Sequence, residues 1–178
     1  VEYRQDVEPR PDTDAVVVMM PGFLGGGPSF DALARSLVRR GADEGTTVEV
    51  WAIDRRSNLL EDLRGMDAAD ADENPEIADG YYFGDDTVGG EAFEGFLGQD
   101  DVPYMSEWGL AVHARDLRAV IARVDEAERR DKVFLMGHSL GASFAEAYAA
   151  WRFEDGTRGF EELAGVILVD GVLGGEPI

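Results

Sequence analysis

Val133-Phe134-Leu135-Met136-Gly137-His138-Ser139-Leu140-Gly141 is the stretch that decides the fold. Its apolar first half is typical of a buried strand, and an alanine-rich helical pattern follows over residues 142–151. The predicted order is therefore strand, sharp turn and helix. A serine on such a turn is pushed out of the backbone, and the glycines on either side remove side chains that would collide where strand and helix approach.

The turn carries the pattern Gly-x-Ser-x-Gly, with Ser139 at its centre. After a strand and before a helix, this pattern predicts a nucleophile elbow, in which the serine hydroxyl attacks a carbonyl carbon. The alternative is a glycine-bounded turn that holds an ordinary serine. Because the context on both sides agrees with the pattern, the catalytic interpretation is favoured.

The rest of the chain repeats strand and helix patterns around this stretch. Apolar runs predict strands at 15–20, 48–53, 132–137 and 163–169, and helical spacing predicts helices at 29–41, 108–129 and 139–151. The first of these strands is followed by a glycine-rich loop, residues 21–28, whose N–H groups can approach a ligand closely. The alternation predicts an α/β fold with a mostly parallel sheet, right-handed crossovers and flanking helices. Residues 1–14 are expected to form an edge segment or an ordered tail.

Residues 57–107 break this rhythm with a mixture of acidic residues, glycine and clustered aromatic residues. The aromatic residues are Tyr81, Tyr82, Phe83, Phe93, Phe96 and Tyr104. A disordered acidic linker is one interpretation, but disordered segments are poor in aromatic residues. We therefore expect an ordered, loop-rich excursion near the working edge of the sheet, with helices at 59–66 and 91–97. Residues 1–178 as a whole are predicted to form a single domain.

The composition excludes several classes of partner. With 37 acidic and 16 basic residues the 178-residue chain has a formal net charge of −21, which repels nucleic acid and anionic membranes. An acidic surface with a single lysine, Lys132, also suits a protein that works in high salt. No apolar run approaches the roughly 20 residues of a membrane span. The carboxylates are scattered without a metal-ligand spacing, so neither a metal nor a cofactor is expected.

The localisation is left open by the sequence. Cysteine is absent, so disulfides are excluded and the redox compartment is not indicated. The chain begins with Val1 in place of methionine, and cleavage of an export signal is one explanation.

Acyl transfer by serine needs N–H donors for the oxyanion, and two are available. One is the N–H of Leu140, which directly follows the nucleophile at a helix N-terminus. The other comes from the loop after an earlier strand, where the N–H of Phe23 is the best candidate. We expect Gly22, Leu24 and His138 to contact the substrate beside these donors.

The catalytic base is harder to find, because the chain holds only two histidines. His138 is adjacent to Ser139 on the turn, where its side chain is expected to point away from the serine hydroxyl. His113 lies early in a predicted amphipathic helix, where a lone histidine is usually a surface or packing residue. The chain therefore has a nucleophile without an evident base.

The acid that would orient a base has one candidate, Asp170. It follows the last predicted strand, and the carboxyl ends of strands are where open α/β sheets place their sites. A turn-forming role before Gly171 is at least as well supported. Asp54 ends an earlier strand in the same way, but with Arg55 and Arg56 beside it a structural ion pair is the better interpretation.

These residues together resemble the α/β-hydrolase superfamily, in particular its esterase and lipase-like members. The similarity extends from Ala15 to Asp170 and is most specific at the elbow. Its carriers are Val16-Val17-Val18-Met19-Met20-Pro21-Gly22-Phe23, Trp51-Ala52-Ile53-Asp54-Arg55-Arg56, Trp108-Gly109-Leu110 through Arg115-Asp116-Leu117, Gly137-His138-Ser139-Leu140-Gly141 and Gly165-Val166-Ile167-Leu168-Val169-Asp170. Where this chain has Pro21-Gly22, the family usually has His-Gly.

The resemblance implies Ser139 as nucleophile and the N–H groups of Phe23 and Leu140 as the oxyanion hole. It places the four predicted strands as the third to sixth of the family's usual eight, so the core is incomplete at its C-terminal side. The last two strands of the family carry the usual acid and the histidine, and this chain has no counterpart for them. Some members place the acid after the sixth strand, which keeps Asp170 as a candidate.

Three functions are compatible with this sequence. The first is hydrolysis of a carboxylic ester through an acyl-serine intermediate, with this chain as the nucleophile-bearing part and a second polypeptide supplying the missing strands and the histidine. The second is acyl transfer to an alcohol or amine by the same nucleophile. The third is a catalytically silent hydrolase-like subunit that binds a ligand or a partner. An exposed apolar sheet edge favours a missing partner, and the aromatic excursion suggests a small ester with an apolar or aromatic group.

Overall fold

A central five-stranded sheet contains the stretch that decides the fold as one of its interior strands. The computed structural model describes residues 1–6 and 12–171. The strands are β1 (Glu2–Tyr3), β2 (Ala15–Met20), β3 (Val48–Ala52), β4 (Thr87–Val88), β5 (Glu91–Ala92), β6 (Val133–His138) and β7 (Gly165–Val169). The helices are α1 (Asp31–Asp43), α2 (Arg64–Ala71), α3 (Glu76–Phe83), α4 (Leu110–Ile121), α5 (Glu126–Lys132) and α6 (Leu140–Ala150).

The strand order of the central sheet is β1-β3-β2-β6-β7. Only β1 runs antiparallel to its neighbour, and β3, β2, β6 and β7 are parallel. The predicted α/β fold with a mostly parallel sheet and flanking helices is confirmed. Because Met20 is opposite Gly137, β2 and β6 end side by side, which brings the loops after these strands to the same edge of the sheet.

The core lies on both faces of β2, which explains its unbroken apolar sequence. Alternate residues of a strand point to opposite faces. Val16, Val18 and Met20 pack with residues of α4 and α6, whereas Val17 and Met19 pack with residues of α1. Val18 and Met19 are both fully buried, so a polar residue at either position would lose its contact with water.

The chain divides into two compact units. The first combines Val1–Arg55 with Glu107–Ile178, and the second is Arg56–Ser106. The first unit contains the central sheet and its helices. The second contains α2, α3 and the hairpin of β4 with β5, and its bounds are close to those of the excursion identified in the sequence.

Aromatic rings organise the second unit. Phe93 packs edge to face against Tyr82 and Phe96, with ring centroids 5.1 Å and 4.9 Å apart. Tyr81 is buried beside them and donates a hydrogen bond of 2.7 Å to Asp62, which holds the pKa of that carboxyl below its ordinary value. Rings packed in this way restrict the backbone that carries them, and the order expected of the excursion stays a prediction.

The helix expected at residues 91–97 is wrong. Residues Glu91–Ala92 instead pair with Thr87–Val88 in an antiparallel hairpin. The two residues between these strands, Gly89 and Gly90, have φ values of 64° and 85°. Tight hairpins prefer a pair of positive φ angles, which glycine adopts without strain, so the Gly-Gly pair was the signal for a hairpin. The helix expected at 59–66 is also displaced, because α2 begins only at Arg64 and a 3-10 turn covers Arg56–Leu60.

Two further helix boundaries differ from the sequence-based expectation. Helix α1 does not end at Gly41 but continues to Asp43. The glycine is required by packing, because a Cβ atom at position 41 would lie 2.7 Å from the side chain of Val48. The helix expected at 108–129 is two helices, since the side chain of Asp125 caps α5 by accepting the N–H of Ala127 at 3.0 Å. Within the first fourteen residues, β1 forms the expected edge segment.

The part of the chain that the structure describes contains neither a membrane-spanning helix nor a cluster of metal-binding side chains. None of its helices has the length and apolar character needed to cross a membrane. Within residues 1–6 and 12–171, no three His, Asp or Glu side chains form a group that could hold a metal ion.

The two glycines that flank Ser139 lie where backbone meets backbone. A Cβ atom on Gly137 would lie 2.1 Å from the carbonyl oxygen of Gly141. A Cβ atom on Gly141 would lie 2.1 Å from the carbonyl oxygen of Met20, at the end of β2. Real Cβ atoms do not approach a carbonyl oxygen so closely, so the turn can form only with glycine at both positions.

We expect Gly141→Ala to lower the free energy of unfolding by roughly 2–3 kcal/mol, because the added methyl group forces α6 away from β2. In an exposed helix the same change would stabilise the protein by about 1 kcal/mol. The predicted change in the free energy of unfolding is therefore opposite in sign to the change that helix propensity alone would give. Urea unfolding of the two proteins measures the difference.

Gly109→Ala is the matched control, because a Cβ atom at this N-cap position has no neighbour within 4 Å. We expect it to lower the free energy of unfolding by no more than about 1 kcal/mol, because alanine is a poorer N-cap than glycine but meets no steric contact here. An unfolding midpoint for Gly141→Ala equal to that of the control would contradict the close packing described for α6.

Candidate active site

Ser139 lies between the last residue of β6 and the first residue of α6, in a backbone conformation that few non-glycine residues adopt. Its φ is 53° and its ψ is −121°. Such a conformation costs roughly 1–3 kcal/mol and persists only where the surrounding structure imposes it. Here the N–H of Ser139 donates to the carbonyl oxygen of Val169 and its own carbonyl accepts the N–H of Ala142, both at 2.9 Å. The predicted strand, sharp turn and helix are therefore present, with a strained serine at the turn.

The glycine-rich loop after β2 lies directly against this serine. A Cβ atom built on Gly22 would be 3.2 Å from the Cβ of Ser139 and 3.4 Å from the Nδ1 of His138. The sheet register explains this closeness, because β2 and β6 end side by side. The structure thus brings Gly22, His138 and Ser139 together, as expected for residues that share a site.

The N–H groups of Phe23 and Leu140 are available as hydrogen-bond donors. The carbonyl oxygen of Gly22 accepts the N–H of Gly25 at 3.2 Å, on the inner side of the loop turn. In a trans peptide the N–H points away from the carbonyl, so the N–H of Phe23 points out of that turn. Leu140 is the first residue of α6, where the N–H groups carry partial positive charge. Among the residues that the structure describes, neither N–H has an acceptor.

The side chains around these donors are apolar and accessible. Phe23 is 71 % exposed and Leu24 is 91 % exposed, although both follow a fully buried strand. Large apolar side chains on a loop next to a reactive group are suited to contact the apolar part of a ligand. The substrate-binding role expected for Leu24, Gly22 and His138 stays a prediction.

Asp170 is next to the elbow, although its role stays a prediction. It directly follows β7 at the carboxyl end of the sheet and has a φ of 49°. A Cβ atom on the following Gly171 would lie 3.2 Å from the carbonyl oxygen of Ser139. Within the described residues, no hydrogen bond or ion pair involves the carboxylate of Asp170. Its side chain is exposed.

Neither histidine of the chain makes a hydrogen bond with the hydroxyl of Ser139 in the part that the structure describes. His113 is half-buried in α4, and its ring centroid is 4.3 Å from that of Phe144 in α6. This contact between two helices supports the packing role that its sequence position indicates. His138 is exposed at the end of β6, beside Gly22.

Asp54 and Arg55, interpreted from the sequence as part of a structural ion pair, have a more specific position. The carboxylate of Asp54 accepts the N–H of Gly27 at 2.7 Å. The guanidinium of Arg55 donates to the carbonyl oxygen of Phe23 and, at 3.3 Å, to that of Gly25. Both side chains hold the glycine-rich loop. Their position after a strand that neighbours β2 was the available signal, since adjacent parallel strands end at the same edge.

A parallel sheet with flanking helices and a Gly-x-Ser-x-Gly turn after an interior strand is the architecture of alpha/beta hydrolases. A comparison with protein families gives the same assignment. Residues 17–178 match the model of the alpha/beta hydrolase family, and the chain belongs to this family. The fold is thus of the hydrolase type, as the resemblance stated from the sequence implies.

Two solved structures are similar to this chain in fold. One is a "putative lipase" from Sulfolobus solfataricus, with 16 % sequence identity and a TM-score of 0.51 over 96 % of this chain. The other is MenH from S. aureus, with 16 % identity and a TM-score of 0.47 over 96 % of this chain. This chain covers 44 % and 41 % of those two chains, so it spans less than half of their length. No curated protein matches this sequence.

On the hypothesis that the N–H of Phe23 is an oxyanion donor for Ser139, we expect Gly22→Ala to slow labelling by a fluorophosphonate probe about tenfold or more, because removing one such donor costs roughly 100- to 1,000-fold in a known enzyme. The new methyl group would press on the Cβ of Ser139 at 3.2 Å and shift the Phe23 peptide. The rate of labelling, followed by intact mass, is the measurement.

Gly109→Ala again serves as the control, since it adds a methyl group in open space on the same unit. The close contact between the loop and the serine would be refuted by equal labelling rates for Gly22→Ala and the unchanged protein.

Proposed function

We propose that this chain is the nucleophile-bearing part of a serine hydrolase that cleaves a carboxylic ester through an acyl-serine intermediate. The observation that carries the proposal is the conformation of Ser139, with a φ of 53° imposed at the N-terminus of α6 and flanked by glycines that cannot be replaced. Proteins retain strain of this kind mainly at functional sites. An ordinary turn serine would have no need of it.

In the proposed reaction the Oγ of Ser139 attacks the ester carbonyl carbon and loses its proton to a base. The carbonyl oxygen becomes an oxyanion, which the N–H groups of Phe23 and Leu140 stabilise. Collapse of this intermediate breaks the bond to the alcohol oxygen, and the base returns the proton to the leaving alcohol. Water then attacks the acyl-serine by the same route, releases the carboxylic acid and restores the serine.

The base in this proposal is a histidine from outside the 178 residues, supplied by a second polypeptide. His113 packs against Phe144, and His138 precedes the nucleophile on the same turn, which supports an external source. The edge strand β7 also supports it. Val166, Ile167 and Val169 of this strand are 38 %, 40 % and 37 % exposed, an apolar surface that further strands would cover.

The proposed substrate is a small ester with an apolar or aromatic group. The exposed side chains of Phe23 and Leu24 stand on the loop that carries the oxyanion donor, where they can contact the acyl or alcohol part. The formal charge of −21 disfavours strongly anionic substrates.

Ser139→Ala is expected to abolish labelling of the native protein by a fluorophosphonate probe, because the probe forms its bond with the activated hydroxyl. The control is Ser143→Ala, which removes a hydroxyl one turn further along α6 and should leave labelling unchanged. Mass spectrometry of the labelled peptide locates the adduct. Labelling that persists in Ser139→Ala would refute the proposed nucleophile.

Asp170→Asn is expected to lower kcat for a nitrophenyl ester by at least about 100-fold, because the neutral amide cannot orient and stabilise a histidinium. Asparagine tolerates a positive φ as well as aspartate does, so the turn is retained and only the charge is removed. The unfolding midpoint is therefore expected to stay within experimental error. An unchanged kcat would instead assign Asp170 to the turn alone.

A further inference from the structure

The glycine-rich loop after β2 is anchored by two charged side chains from the end of the neighbouring strand β3. Asp54 Oδ1 accepts the N–H of Gly27, at 2.7 Å. Arg55 donates from one guanidinium nitrogen to the carbonyl oxygens of both Phe23 and Gly25. The loop contains three consecutive glycines, 25–27, and glycine has more backbone freedom than any other residue. These side-chain contacts therefore restrict a segment that would otherwise be poorly defined.

The contacts of Arg55 determine the orientation of a peptide plane next to the nucleophile. The carbonyl of Gly22 is held by the N–H of Gly25, and the carbonyl of Phe23 is held by Arg55. Because each trans peptide is planar, a carbonyl held in place also determines the direction of the N–H in the same peptide. The N–H groups of Phe23 and Leu24 consequently have fixed directions. Without Arg55, only one of the two planes would keep its anchor.

We infer that Arg55 is a positioning residue for the oxyanion hole. By holding the carbonyl oxygens of Phe23 and Gly25 it secures the loop turn, and the hydrogen bond from Gly25 to Gly22 in that turn keeps the N–H of Phe23 aimed beside Ser139. This inference rests on the proposed function and adds a residue that the elbow motif does not include. Arg55 acts through the loop and does not contact the substrate. Preorganised donors lower the activation barrier because they need no reorientation when the oxyanion forms. Loosening the loop is therefore expected to reduce stabilisation of the transition state more than it reduces binding of the substrate.

Arginine suits this position better than lysine does. Its planar guanidinium offers several N–H donors in a fixed arrangement, and it reaches two carbonyl oxygens at once. A lysine ammonium could also donate to both carbonyl oxygens, but it is more strongly hydrated and sits on a more flexible stem, so it would hold the loop less rigidly. Since Arg55 is half-buried at the end of β3, its donors are also partly shielded from competing water.

The test is the kinetics of Arg55→Met and Arg55→Lys in the native protein with a nitrophenyl ester as the substrate. We expect Arg55→Met to lower kcat 10- to 100-fold and to change KM less than twofold, and Arg55→Lys to recover part of the loss. Arg35→Met is the matched control. Arg35 belongs to the same unit and forms an exposed pair with Asp31 on α1, so its replacement should leave both constants unchanged.

A second measurement does not depend on activity. Amide hydrogen exchange of Gly25 should become at least about tenfold faster in Arg55→Met, because its hydrogen bond to Gly22 belongs to the turn that Arg55 secures. The N–H of Gly27 should keep its protection, since Asp54 remains. If Arg55→Met folds poorly, Arg55→Ala with added methylguanidinium replaces it, and recovery of kcat by the added cation is expected.

The outcomes separate this inference from the proposed function. Absence of Ser139-dependent turnover in the native assembly, with the polypeptide that supplies the base present, would overturn both. Normal turnover with an unaltered kcat in Arg55→Met, or a raised KM with an unaltered kcat, would overturn the positioning role alone. Unaltered exchange of Gly25 would likewise overturn it, whereas a fall in kcat together with faster exchange at Gly25 supports it.

Discussion

The contact between the start of α6 and the carboxyl end of β2 is the constraint on which the rest of the site depends. Gly141 comes so close to the carbonyl oxygen of Met20 that no side chain fits between them. This closeness puts the N-terminus of α6 beside the loop that leaves β2. The proposed nucleophile on one segment and the proposed oxyanion donor on the other can share a site only because the two backbones meet there.

The strain at Ser139 has to be offset by ordinary interactions elsewhere. Its N–H is held by Val169 of β7, so the turn is tied to the strand next to β6 as well as to its own helix. Behind the turn, β6 is buried between β2 and β7, and α6 contributes Ala145 and Tyr148 to the core. The favourable packing of the sheet and of α6 thus offsets the cost of the unfavourable backbone conformation at Ser139.

The elements nearest to Ser139 could be predicted from the sequence because their signals are local. An apolar run, two glycines and an alanine-rich segment define β6, the turn and α6 within eighteen residues or so of one another. The parallel sheet followed from the alternation of such segments. The hairpin at Gly89-Gly90 was also signalled locally, by its pair of glycines, although a helix was expected at 91–97.

Other parts of the site depend on contacts between residues far apart in sequence. Arg55 reaches Phe23 across 32 positions, and this contact exists only because β3 is placed beside β2. The glycine at position 41 has its reason in Val48, on the strand that follows α1. Sequence patterns show that charged or small residues are present at such positions, whereas the register of the sheet decides what they touch.

The two edges of the central sheet differ in how readily they accept a further strand. At one edge β1 is only two residues long, and its Glu2 pairs with Arg123. At the other edge β7 has five residues with partly exposed apolar side chains, and no described strand pairs with its outer side. Short, charged edges resist strand addition, whereas longer apolar edges accept it. A further strand is therefore accepted more readily beside β7 than beside β1.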